Sequence, residues 1–261
     1  MDEGTPGATP PAVSALVAPA QAGWRGELRT LFSGIHLPGA VACVVASCAL
    51  ILSHYQGDIG FFGTYLSAGL TGIKAELYPF LYWLLASFVL FLPLPLVAAA
   101  LTPGIRLKDT GLGPGNWRFG LLATAVIAAA FLPIVFIASR TATFAEHYPL
   151  CGAARSSVGA FLVYEACYAI YFVGWESLFR GYLLFSLEPS MGKMAVFATM
   201  MPFVVIHYGK PEPEVFGSVI AGLALGFLAL RTRSFWYGAL IHILAALSMD
   251  VFATWGKLGG R

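Results

Sequence analysis

Apolar residues run along this chain in blocks about as long as a bilayer is thick, and the charges gather at the breaks between them. An α-helix rises about 1.5 Å per residue, so about 20 apolar residues cross the hydrocarbon layer. The pattern predicts seven spans: Leu37 to Ser53, Leu77 to Leu101, Phe119 to Ser139, Val158 to Leu187, Met194 to Tyr208, Val215 to Leu230 and Phe235 to Phe252. The fourth is long and the fifth short. The Gly-rich apolar stretch Ile59 to Gly72 leaves room for an eighth span or a re-entrant segment. The expected fold is therefore an all-α, polytopic transmembrane helix bundle of about seven to eight spans.

The start of the chain breaks the pattern. Met1 to Gly23 is rich in Pro, Ala and Gly, opens with Asp2 and Glu3, and lacks a basic n-region, so it reads as a disordered tail and not a cleaved leader. Trp24 to Phe32, with Arg25 and Arg29, reads as a short amphipathic helix lying at headgroup level. The organisation follows as a tail with an interfacial helix over residues 1–30, leading transmembrane helices over 31–156, and a polar-bearing core of helices over 157–255.

Composition agrees with a bilayer as solvent: 58% of the residues are hydrophobic and only 11% charged, with a mean hydropathy of +0.77. A net charge of +2 with no long basic run argues against a nucleic-acid partner. Cys43, Cys48, Cys151 and Cys167 show no CxxC spacing and read as packing residues. The expected setting is the cell membrane of a bacterium or an internal membrane of a eukaryote. Loop charges lean toward a cytoplasmic N-terminus, with Arg106, Lys108 and Arg118 inside.

Against that background one segment stands out. Trp175-Glu176-Ser177-Leu178-Phe179-Arg180-Gly181 puts a carboxylate and a guanidinium four residues apart inside the fourth span. Residues so spaced share a helix face and can pair, and ionisable groups inside spans turn toward protein interiors or wet cavities. His207 closes the fifth span and His242 lies within the seventh. Counted from the cytoplasmic ends of their helices, Glu176, His207 and His242 sit roughly 16, 21 and 12 Å deep, so three helices can bring them to one site. Packing alone accounts for a single buried histidine or ion pair, but four ionisable groups at similar depth point to a functional cavity.

Such a set suits hydrolysis. A carboxylate in an apolar cavity beside a guanidinium can serve as a general base for water. The two imidazoles can hold a divalent metal, zinc by the type of ligand set, together with Glu176, or they can donate to a tetrahedral oxyanion. The residues leave those alternatives open. HExxH and GxSxG are both absent.

Glu176-Ser-Leu-Phe-Arg180-Gly181, then Phe203-x-x-x-His207, then His242 after a Gly-rich helix resembles the CPBP family of intramembrane proteases, which includes the type II CAAX prenyl endopeptidases and the Abi or lysostaphin-resistance-like proteins. The resemblance covers about Ser157 to Val251, including His207-Tyr-Gly-Lys-Pro-Glu-Pro-Glu214. It implies an intramembrane endopeptidase that acts on a membrane-embedded or lipid-anchored, CAAX-like protein, with Glu176, Arg180, His207 and His242 as the catalytic set. His207, His242 and Glu176 are then the implied metal ligands. The chain departs from the family pattern twice. Trp175 stands where a first glutamate is usual, the one most often given the water-activating role, and Ala246 stands where Asn or another polar residue is common. Glu165 lies about 16 Å back along its helix, too far to replace that glutamate, and Asp250 lies about 80° round from His242.

Two other classes stay on the table. One is a membrane scaffold or immunity protein that keeps the fold without the chemistry. The other is a proton-coupled transporter, although no matching pair of interrupted helices marks inverted repeats. Ser218, Gly222 and Gly226 form a small-residue stripe for close helix packing, and Glu214 reads as a helix-start residue.

Overall fold

A computed structural model describes residues 23–254, and all of the predicted tail Met1 to Gly23 except Gly23 lies outside them. Two units separate. The first contains helix α1, Trp24–Leu31, whose Trp24, Leu28 and Leu31 are all exposed at amphipathic spacing, with Arg25 stacked over the Trp24 ring at 5.2 Å.

The second unit is a helical bundle, with no strand among the described residues. In chain order its helices are α2 (Leu37–Tyr55), α3 (Ile59–Tyr65), α4 (Ile73–Phe91), α5 (Pro93–Leu101), α6 (Trp117–Ala138), α7 (Ala142–His147), α8 (Gly152–Ser156), α9 (Val158–Glu176), a π-helical stretch (Ser177–Leu183), α10 (Leu184–Met191), α11 (Met194–Val205), α12 (Glu212–Thr232) and α13 (Trp236–Thr254). Among the described residues six stretches are long and apolar enough to cross a membrane: α2, α4 with α5, α6, the run from α9 to α10, α12 and α13.

The polytopic bundle thus stands, with its fifth span changed. Helix α11 has 12 residues and is too short to cross alone; it ends before His207 instead of running to Tyr208. The Gly-rich stretch 59–72 holds only the seven-residue α3, capped by Asp58 accepting from Phe61 N–H at 2.7 Å. A break before Pro93 divides the second span, because proline cannot supply the helical N–H.

Aromatic packing joins α4 to α9: Trp83 meets Tyr171 at 5.5 Å between centroids, and Phe91 meets Trp175 at 5.9 Å. Helix α13 packs between α6 and α9. The loop before α6 fixes where α13 starts. Phe235 N–H donates to Gly111 O, Trp236 Nε1 to Leu112 O, and Asn116 N–H to Thr232 O. Gly115 has φ +52°, and any Cβ there would strike the Thr232 carbonyl. The stripe on α12 meets α11: a Cβ at Gly222 or Gly226 would press on Met200 or Val196. That close approach seats α11, and the residue after its end, over the run from α9 to α10.

Candidate active site

Glu176 is the last α-helical residue of α9, and the π-helical stretch begins at once. Such local widening is common at functional positions. Its carboxylate has no exposed surface, Arg180 is 2% exposed, and Arg180 Nη1 donates to Glu176 Oε1 at 2.8 Å. His242 reaches the same oxygen from α13, with Nδ1 2.8 Å away and the side chain 16% exposed. One carboxylate oxygen thus serves a guanidinium on its own helix and an imidazole on another. The His242 contact is at ion-pair distance but lacks hydrogen-bond alignment.

The other oxygen, Oε2, lies against Gly238, where a Cβ would land on it. Gly238 is one turn before His242, so glycine there lets α13 come close enough for the imidazole to reach Glu176. Oε2 and Arg180 Nη2 are buried with no hydrogen-bond partner among the described residues. The Phe172 ring stacks on His242 at 5.1 Å and 8°, which fixes the imidazole plane.

His207 is held by a different device. Beyond α11 the backbone tightens, and His207 N–H donates to Val204 O instead of Phe203 O. The Phe203 carbonyl thereby released lies 2.6 Å from His207 Nδ1. A carbonyl only accepts, so Nδ1 carries the proton and the neutral ring presents Nε2 as a lone pair. Phe203 does more than this. Its buried ring carries the Arg180 guanidinium at 3.9 Å, and it lies 4.5 Å from the His207 ring and 5.9 Å from the His242 ring.

The structure therefore brings Glu176, Arg180 and His242 into direct contact and sets His207 beside them across Phe203. Trp175, at the position of the first departure, is buried against Phe203 and edge-on to His207 at 6.1 Å. Phe203 and Gly238 had no assigned role in the sequence reading. Their one signal is position: each precedes a site histidine by four residues.

Residues 157–248 match the family model described as type II CAAX prenyl endopeptidase Rce1-like. This segment is similar to that family. The Rce1-like segment runs from the N-cap of α9 into the last turns of α13 and contains all four candidate residues. No curated protein and no solved structure matches the chain at a significant level. With six apolar spans among the described residues, the protein is an integral, multi-pass membrane protein.

As ligands for a metal, the donors are arranged loosely. His207 Nδ1 faces a carbonyl and His242 Nδ1 faces Glu176, so Nε2 is the nitrogen each would offer an ion. No three His, Cys, Asp or Glu side chains among the described residues stand together as a ligand set for one ion.

A second polar link joins the same two helices. Glu165 of α9 and Asp250 of α13 lie close enough for their carboxyl groups to interact. They lie on the same side of the Glu176–His242 contact because α9 and α13 run in opposite directions. Asp250 is 1% exposed, and no donor among the described residues reaches either of its oxygens. The two acids that seemed poor substitutes for the site's missing groups thus face each other.

Proposed function

We propose that this chain is an intramembrane endopeptidase that hydrolyses a peptide bond of a membrane-embedded or lipid-anchored, CAAX-like protein. The observation that carries the reading is the shared Glu176 oxygen, 2.8 Å from both Arg180 Nη1 and His242 Nδ1 in a fully buried setting. A base with an acid behind it is the arrangement that water activation requires.

Glu176 acts on water at one remove. Complete burial keeps it from the nucleophile, so it serves as a positioning residue that favours the Nδ1–H tautomer of His242 and steadies the imidazolium once it forms. Arg180 in turn fixes the carboxylate. In the proposed step a water molecule gives one proton to His242 Nε2 while its second hydrogen is held by His207 Nε2. The oxygen adds to the scissile carbonyl. On collapse of the tetrahedral intermediate, His242 returns the proton to the departing amine, leaving a carboxylic acid and an amine as products.

The test is cleavage of lipid-anchored and transmembrane peptides by protein reconstituted in liposomes, with products read by mass spectrometry. Wild type cleaves, and His242→Ala keeps only a small residual rate. Glu176→Gln loses up to about 10⁴-fold in rate, the scale of replacing the carboxylate that orients a catalytic histidine. Zinc content measured on the same preparation decides whether a metal joins His207 and His242; near-stoichiometric zinc lost in the double alanine variant would require a metal-bound water in place of the step above.

A second reading has its own support: Trp175 fills the position of the usual first glutamate with a buried indole packed on Phe203 and near His207. On that reading the chain is a non-catalytic membrane scaffold or immunity protein. It predicts no peptide product from any substrate, and partner binding that survives alanine at both histidines.

A further inference from the structure

The turn that carries His207 is tied down at its far end by side chains from two other segments. Lys210 N–H donates to His207 O at 3.1 Å, closing the turn. The Lys210 ammonium then donates to the Tyr148 hydroxyl at 3.2 Å and lies 3.4 Å from Glu214 Oε1. Tyr148 O–H donates to Glu214 Oε2 at 2.6 Å. Tyr148 comes from the connection between α7 and α8, more than sixty residues earlier, and Glu214 from the first turn of α12.

Each group is suited to this use. Glu214 sits where the N-terminal end of a helix favours negative charge. Tyr148 is 3% exposed, and burial followed by the Glu214 carboxylate pushes its phenol above the ordinary range. It therefore stays a donor at any pH the protein meets. Lys210 also lies over the Tyr148 ring at 5.2 Å. The stem of the turn needs such an anchor because α11 is short and its helical i→i−4 bonding stops at Ile206, one residue before His207. Without one, His207 can swing away from the Phe203 carbonyl.

We propose that Tyr148, Lys210 and Glu214 form a latch that positions His207, keeping its Nδ1 on the Phe203 carbonyl and its Nε2 toward the reacting water. The three are positioning residues, since none touches the substrate or the water. The catalytic consequence rests on the endopeptidase reading, while the geometric one does not.

The experiment uses the full chain in liposomes and compares wild type with Tyr148→Phe, Lys210→Met and Lys210→Arg. Two readouts are taken: the rate at which diethyl pyrocarbonate modifies His207, followed by peptide mass spectrometry, and kcat and KM for a cleaved lipid-anchored peptide. Tyr148→Phe keeps the ring and removes only the hydroxyl, so melting temperature in detergent serves as the folding control. Folded Tyr148→Phe and Lys210→Met are expected to change the His207 modification rate several-fold. Their kcat falls roughly 10- to 100-fold, the scale of a misplacement of about 1 Å, with KM within about twofold. Lys210→Arg restores both. An unchanged His207 modification rate in folded Tyr148→Phe and Lys210→Met overturns the latch. If wild type cleaves nothing while the modification rate shifts as stated, the endopeptidase reading fails and the latch stands.

Discussion

Helices α9 and α13 are joined by two buried polar links that differ in sign. Glu176 meets two bases, Arg180 and His242, whereas Glu165 meets another acid, Asp250. Burying charge is costly unless it is paired and hydrogen-bonded, so the first link can hold a charged, oriented histidine in an apolar setting. Two carboxylates in contact repel unless a proton lies between them. The two links show how one helix pair can place a cluster of opposite charges suited to acid–base chemistry beside a pair of like acids.

The comparison breaks most visibly at Arg180. Arg180→Met leaves the Glu176 carboxylate buried with only a histidine beside it, and the expected loss is about 3–5 kcal/mol, as for removing one partner of a buried ion pair. Unfolding by denaturant titration in detergent micelles reads it. A smaller loss comes from Gly238→Ala. The new methyl lands on Glu176 Oε2 and forces α13 outward, which costs about 1–3 kcal/mol as overpacking does. The same variant lowers any cleavage rate because His242 moves with α13.

The acidic link predicts the opposite sign. Asp250→Asn introduces a donor toward Glu165, and stability is expected to rise by about 1 kcal/mol, the net worth of one hydrogen bond. A loss of similar size would mean that Asp250 has a basic partner after all. The smallest effect sharpens the contrast with the leading helices, where the polar link between α2 and α4 is neutral. Ser53 and Ser87 share a buried hydroxyl contact of 2.8 Å. Ser87→Ala is expected to cost about 0.6 kcal/mol, typical of hydrogen bonds between membrane helices.

How much of this the sequence could show depended on the kind of signal. Hydropathy located every long span, because length and apolarity are additive along the chain. It placed Met194 to Tyr208 as a span when the helix stops at Val205, since the tightened turn that frees the Phe203 carbonyl leaves no mark in hydropathy. Spacing found the Glu176–Arg180 pair, which is local. Helix-depth arithmetic grouped Glu176 with His242, which do touch, and with His207, which lies beside them across Phe203. The Glu165–Asp250 contact and the Tyr148 latch were out of reach because they depend on which helices are antiparallel neighbours and on long-range side-chain contacts. Glu214, read as a helix-start residue, does occupy that place and also accepts from Tyr148.

The most direct test of the Glu176–His242 unit is a double-mutant cycle on cleavage rate, with wild type, Glu176→Gln, His242→Ala and the double variant reconstituted together and assayed on one lipid-anchored peptide. Residues that act as a unit give losses that do not add. The account predicts that the double variant is no slower than His242→Ala alone. Independent, multiplicative losses, or a wild-type rate in Glu176→Gln, would contradict it.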